Sequence, residues 1–229
     1  MYELFVANKN YSSWSMRPWV LLRTRNIAFE EKFLRFGDEA AWTSFRSISP
    51  AGKVPCLRDG STVVWDSLAI TEYLAERHPG VWPGEPAARA FARSASAEMH
   101  SSYQTLRSNC SMNCGIRVKL HGISPDLQKD LDRLDNLFRQ GLGSFGGPFL
   151  AGASFTAVDA FYTPVAFRAQ TYGLVLSPES NAYLARLRDM PAARAWYEAG
   201  INEDFRDGGH ELEIRGAGEI VQDLRRPVS

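Results

Sequence analysis

The chain opens with YELFVA (2–7), a short run rich in β-formers that predicts a buried strand. Three serines, Ser12, Ser13 and Ser15, precede MRPWVLLRTRN (16–26), whose spacing predicts a helix of about three turns over 15–26. Ser15 reads as its N-cap, Pro18 falls in the first turn where its missing N–H costs little, and Asn26 suits the left-handed C-terminal position. AFEEKFLRF (28–36) predicts a second strand and DEAAWTSFRSIS (38–49) a helix. VPCLRDG and STVVWD predict a hairpin around Asp59-Gly60, and SLAITEYLAERHPG (67–80) an amphipathic helix that stops at Pro79-Gly80. The predicted order is βαβαββα.

PGVWPGEP (79–86) has the proline and glycine content of a linker. Beyond it the long periodic segments are helical in pattern: 87–109, then 126–142 with Leu127, Leu131, Leu134 and Phe138 on one face, then 157–173. The expected organisation is therefore a first domain over 1–80, a linker over 81–86, an all-α domain over 87–205 and a polar tail over 206–229. Glycine interruptions predict that the tail is irregular or partly mobile.

A chain of 229 residues accommodates two domains of ordinary size. Lys plus Arg and Asp plus Glu are both 26, so no global field draws the protein to nucleic acid or to an anionic membrane, and neither is expected as a partner. The start of the chain lacks a basic region followed by a long apolar run, and no stretch has the length of a membrane span, so a soluble, cytoplasmic protein is expected. Three cysteines, Cys56, Cys110 and Cys114, are too few and odd in number for a disulfide framework.

Several positions carry candidate chemistry. One cap needs one serine, so three at a strand-to-helix turn raise the alternative that a hydroxyl there addresses a bound anion. In GKVP, the residue before proline is pushed to extended backbone, so Val54 presents its N–H and C=O like a sheet edge, able to pair with an extended peptide; an ordinary proline opening an edge strand is the alternative. Asp66-Ser67 opens a helix, with Ser67 as its cap. Thr156-x-x-Asp159 is a capping-box variant. Cys110 and Cys114, flanked by His100 and His121, lack the tight four-ligand spacing of structural zinc, so no metal is expected. Cys56 reads as a small buried residue, and no C-x-x-C suggests dithiol exchange.

The βαβαββα order, the proline-rich linker and the helical second half, together with SSWSMR (12–17), SPAGKVPCL (49–57) and WDS (65–67), resemble the cytosolic glutathione transferases. In motif the chain is similar to the serine-class members, zeta-like ones above all. The resemblance implies a thioredoxin-like N-terminal domain followed by an all-helical C-terminal domain, assembled as a homodimer. It implies a glutathione S-transferase that uses glutathione as co-substrate and activates its thiolate against a small hydrophobic electrophile. The family's sulfur-contacting residue lies five positions before a helix arginine, which from Arg17 gives Ser12, with Ser13 as the alternative. A hydroxyl donor at a helix N-terminus favours the thiolate of a thiol whose free pKa is about 8.5. Glutathione would further be held by Lys53, Val54, a cis Pro55, Asp66 and Ser67. The acceptor pocket would take Trp14, Gln104, Asn109, Met112 and Asn113. Trp14 stands where the zeta motif has cysteine, and Asp66 where many relatives have glutamate. Tyr11 leaves a tyrosine mechanism open, while Tyr2 reads as strand packing. Two alternatives are a maleylacetoacetate-type cis/trans isomerase and a non-catalytic glutathione-binding protein.

Overall fold

β1 (Tyr2–Ala7) buries Leu4, Phe5, Val6 and Ala7 and lies inside a four-stranded sheet ordered β2-β1-β3-β4. The computed structural model describes residues 1–37 and 39–227, with 39–42 described by their backbone. β2 (Phe29–Leu34) runs parallel to β1, a pairing that requires a crossover, and α1 (Ser13–Thr24) supplies it. β3 (Cys56–Asp59) and β4 (Thr62–Trp65) form the expected hairpin, turning at Gly60 with φ +58°. Phe5 faces Lys32 on one side and Cys56 on the other, so β1 sets the register of the sheet. α2 (Glu39–Ile48) and α3 (Ser67–Ala75) complete the βαβαββα unit; Asp38, at the expected start of α2, lies outside the described residues.

The second half contains α4 (Pro86–Ser101), α5 (Gln104–Asn109), α6 (Pro125–Phe145), α7 (Ala157–Tyr172), α8 (Pro178–Asp189) and α9 (Pro191–Ile201). The helix expected over 87–109 is two helices, because Tyr103 takes a left-handed conformation with φ +60° and ends the first path. α7 is apolar nearly all round and buried nearly all round, as a central helix must be. Its start matches the sequence: Asp159 accepts the Thr156 N–H at 2.9 Å, the Leu150 N–H at 3.0 Å and the Tyr183 hydroxyl at 3.0 Å.

The polar tail is not irregular over its described residues. α10 (Gly208–Ala217) leads into β6 (Gly218–Asp223), which pairs antiparallel with β5 (Ile116–Leu120) and adds a two-stranded ribbon to the helical half. Sequence polarity misled here because one buried apolar side chain, Ile214, and polar ties through the buried Arg225 do the anchoring. Arg225 bonds Asp223, Glu211 and the Tyr11 hydroxyl, and Leu224 N–H reaches Gly115 C=O at 2.8 Å.

Two caps differ from expectation. Ser12, not Ser15, is the N-cap of α1; Ser15 sits in the first turn, where its Oγ accepts the Ala7 N–H at 3.3 Å and lies 2.8 Å from Ser12 Oγ. The end of β1 therefore fixes where the helix begins. Asp66, not Ser67, caps α3, accepting the N–H of Leu68 at 2.8 Å and of Ala69 at 3.4 Å.

Asp159→Ala leaves buried donors without an acceptor and should lower unfolding free energy by at least about 3 kcal/mol, with Asp159→Asn intermediate. Ser12→Ala should cost about 1 kcal/mol through the lost cap. Urea denaturation midpoints at constant m-value check both.

Candidate functional site

The N-terminus of α1 opens on two cavities with a common wall. One, about 560 Å³, is lined by Ser12, Ser13, Trp14, Lys53, Val54, Gln104 and Met112 among others. The second, about 440 Å³, is lined by Trp14, Lys53, Val54, Pro55, Asp66 and Ser67, with Trp65 and His100. Trp14, Lys53 and Val54 belong to both. The expected thiol, backbone and γ-glutamyl positions thus share one surface.

Val54 precedes the β1–β3 ladder, which begins at Cys56, and the Val54–Pro55 bond is cis. Asp66 adopts φ +75°, a conformation uncommon for a residue with a side chain and costing about 1–3 kcal/mol of strain, which its two cap bonds help to hold. Its second carboxylate oxygen lies 3.4 Å from His100 Nε2. His100 packs edge-on against Trp14 at 5.3 Å and was not anticipated as part of the site.

Arg17 is wholly buried beneath this surface. Its Nη1 donates to Ser67 Oγ at 3.4 Å, and its guanidinium stacks on Trp14 at 4.1 Å and Phe161 at 4.9 Å. Burial, then the neighbouring Arg168 and Arg107, lowers its pKa to about 9. Arg168 is also buried, donating Nε to Cys110 C=O at 2.8 Å and Nη2 to Ser13 Oγ at 3.4 Å; burial lowers its pKa to about 10. Arg107 also lies over the Trp14 ring, at 5.2 Å. None of these three arginines is in an ion pair among the described residues. Their field acts on whatever enters, and it favours negative charge.

The hydroxyls differ in their engagement. Ser12 Oγ accepts the Ser15 N–H at 3.4 Å and donates its proton to Ser15 Oγ at 2.8 Å, while Ser13 Oγ accepts from Arg168. Tyr11 lines the same cavity, and its hydroxyl donates to Glu211 at 2.8 Å; burial, then Glu211, pushes its pKa far up. Asn109 and Asn113 do not line the cavity. Asn113 is fully buried and bonded to Gly115, Thr171 and Glu211, and Asn109 lies at the far end of α5. No local motif points to Arg107, Arg168, His210 and Glu213, which reach the cavity from the helical half. The three cysteines are buried, and burial raises the Cys110 thiol to about 12. No cluster suited to a metal occurs among the described residues, and no described helix is long and apolar enough to cross a membrane.

Comparison with known proteins identifies the family. The glutathione S-transferase N-terminal domain model matches residues 11–77 and the C-terminal domain model residues 122–199. The chain is 32% identical over 190 residues to a probable maleylacetoacetate isomerase of Caenorhabditis elegans, covering 79% of this chain and 86% of that one. It is 27% identical over 172 residues to the maleylacetoacetate isomerase of Rattus norvegicus, covering 73% and 78%. A glutathione transferase homolog from Burkholderia, solved with bound glutathione, has the same fold at a TM-score of 0.64 and 19% identity, covering 87% of this chain and 97% of that one. A thioredoxin-like sheet unit joined to a helical half, two matched domain models and a relative covered over most of its length place this chain in the glutathione S-transferase family, near its zeta members.

Proposed function

We propose that the protein is a glutathione transferase of the serine type, in which α1's N-terminus stabilises the glutathione thiolate. The observation that carries this reading is the shared wall: Ser12 and Ser13 face one cavity, Asp66 and Ser67 the other, and Val54 both. Glutathione would lie along that wall with its peptide backbone against Val54, beside Lys53 and Pro55. Its γ-glutamyl carboxylate would meet Ser67 and its ammonium Asp66, and its sulfur would reach the start of α1.

Ser12 is the assigned thiolate partner. Its hydroxyl donates to Ser15 Oγ; with glutathione bound that proton would rotate to the sulfur, and the Ser15 hydroxyl would donate to Ser12 Oγ in its place beside the Ser15 N–H. Ser13, polarised by Arg168, is the competing donor. Trp14, Gln104 and Met112 would face the electrophile. The protein would act in the cytoplasm as a homodimer.

A second reading, glutathione-dependent cis/trans isomerisation, is favoured by Arg107 and Arg168. Two guanidiniums at one cavity without ion pairs among the described residues suit an acceptor that carries carboxylates better than a purely hydrophobic one. In that reaction thiolate addition would permit rotation about the former double bond, and elimination would return glutathione.

Ser12→Ala should raise the pKa of bound glutathione and lower kcat by about 10- to 100-fold, a loss of about 1.5 to 3 kcal/mol, with little change in affinity. Ultraviolet titration of the bound thiolate reads this directly; a larger rise in Ser13→Ala transfers the role to Ser13, and no rise in either removes activation by these hydroxyls. Ser67→Ala should weaken glutathione binding by about 1 to 3 kcal/mol, measured by fluorescence titration.

A further inference from the structure

α10 brings an imidazole to the cavity on which α1 opens. His210 lines it together with Ser12, Ser13 and Met112. Its ring packs against Tyr11 at 5.1 Å and stacks on Phe36 at 5.9 Å, so two aromatic rings hold it. Its Nδ1 is 2.7 Å from the Asp207 carboxylate. Burial opposes ionisation of Asp207, but hydrogen bonds from the His210 ring and backbone outweigh it and keep the carboxyl below its ordinary value. A carboxylate at Nδ1 accepts that nitrogen's proton and fixes the tautomer, leaving Nε2, which has no hydrogen-bond partner among the described residues. This is the geometry of an oriented acid–base group.

Two other acid–base groups of the cavity are engaged. Tyr11 donates to Glu211 and receives Arg225, and Glu213 accepts the Ser111 hydroxyl at 2.6 Å. Facing His210 on its own segment are Asp207, Glu211 and Glu213, with Arg225 behind Tyr11; Lys53, Arg107 and Arg168 line the cavity with it. The adjoining Phe36 and Phe45 rings carry no charge.

We propose that His210, oriented by Asp207, is the general acid that protonates the acceptor when glutathione adds to an α,β-unsaturated carbonyl, an inference that rests on the glutathione reading above. The thiolate forms its S–C bond at the β-carbon, and the double-bond electron pair moves to the α-carbon as an enolate. The imidazolium Nε2 gives its proton to that carbon and becomes neutral while Asp207 retains the Nδ1 hydrogen bond. The proton released when the next glutathione thiol ionises restores it through solvent. Substitution on an aryl halide needs no such proton, because the halide departs with the electron pair.

That contrast supplies the test. The parent, His210→Gln and Asp207→Asn are assayed with glutathione against benzylideneacetone, an enone, and chlorodinitrobenzene, an aryl halide, across pH. The ratio of the two kcat/KM values cancels thiolate formation, which both reactions share. Asparagine is also a good N-cap, so Asp207→Asn keeps α10 while removing the carboxylate, and thermal unfolding checks both variants. The enone-to-halide ratio should fall about 100-fold in His210→Gln and about 10-fold in Asp207→Asn. In the parent the ratio should decline with rising pH, as a general-acid step requires, and in His210→Gln it should be flat. An unchanged ratio in both variants, a mere rise in the glutathione KM, or a parent that uses the halide but not the enone overturns the assignment and leaves the glutathione reading standing. A parent inactive on both electrophiles brings down both.

Discussion

Everything at the site depends on the burial of α1. This helix packs on β1 and α3 of the first half and on α7 and α9 of the second, so both halves of the chain fix its direction. Its residues from Ser15 to Leu22 are buried, including a full arginine. A helix enclosed in this way cannot shift its start to suit a ligand; the ligand must come to it. Its first turn faces the cavity with a serine cap, backbone N–H groups and the positive end of the helix dipole already in place. Arg17 extends the effect by stacking on Trp14 and reaching Ser67, so the residue that divides the two cavities and the residue that opens α3 lean on one guanidinium. Burying that cation without a carboxylate partner is costly, and its depressed pKa records the cost.

The chain's last described segment closes the same site from the opposite side. Arg225 links Asp223, Glu211 and the Tyr11 hydroxyl, tying the end of β6 and the body of α10 to the residue just before the α1 cap. Trp196 donates to Lys9 C=O at 2.7 Å, and Asn10 Oδ1 accepts the Cys114 and Gly115 N–H groups, so the loop between β1 and α1 is gripped from the helical half as well. The serine turn is therefore held by distant parts of the chain. That positions the hydroxyls, and it places charged and imidazole side chains opposite them.

Local chemistry was legible where neighbours in sequence decide the outcome. The Thr156–Asp159 box, the Asp59-Gly60 hairpin, left-handed Asn26 and the strand-helix order all follow from residues a few positions apart. The family resemblance pointed to Lys53, Val54, Pro55, Asp66 and Ser67, which line the second cavity and which composition alone would not have assembled. Misreadings arose where tertiary structure decides. Ser12 outranks Ser15 as a cap because the end of β1 holds Ser15 inside the first turn. The 87–109 periodicity hid the break at Tyr103, whose hydroxyl is anchored to Glu98 at 2.7 Å. Arg168 and His210 reached the cavity from segments whose own periodicity says nothing about it.

Calorimetric titration of the protein with glutathione in two buffers of different ionisation heat reads directly whether α1's N-terminus holds a thiolate, because the difference between the two heats counts the protons exchanged on binding. Near neutral pH the predicted result is binding accompanied by net proton release, as a thiol that is largely protonated in solution ionises on the protein. Binding without proton release contradicts thiolate stabilisation by this turn, and an absence of binding contradicts the glutathione site as a whole.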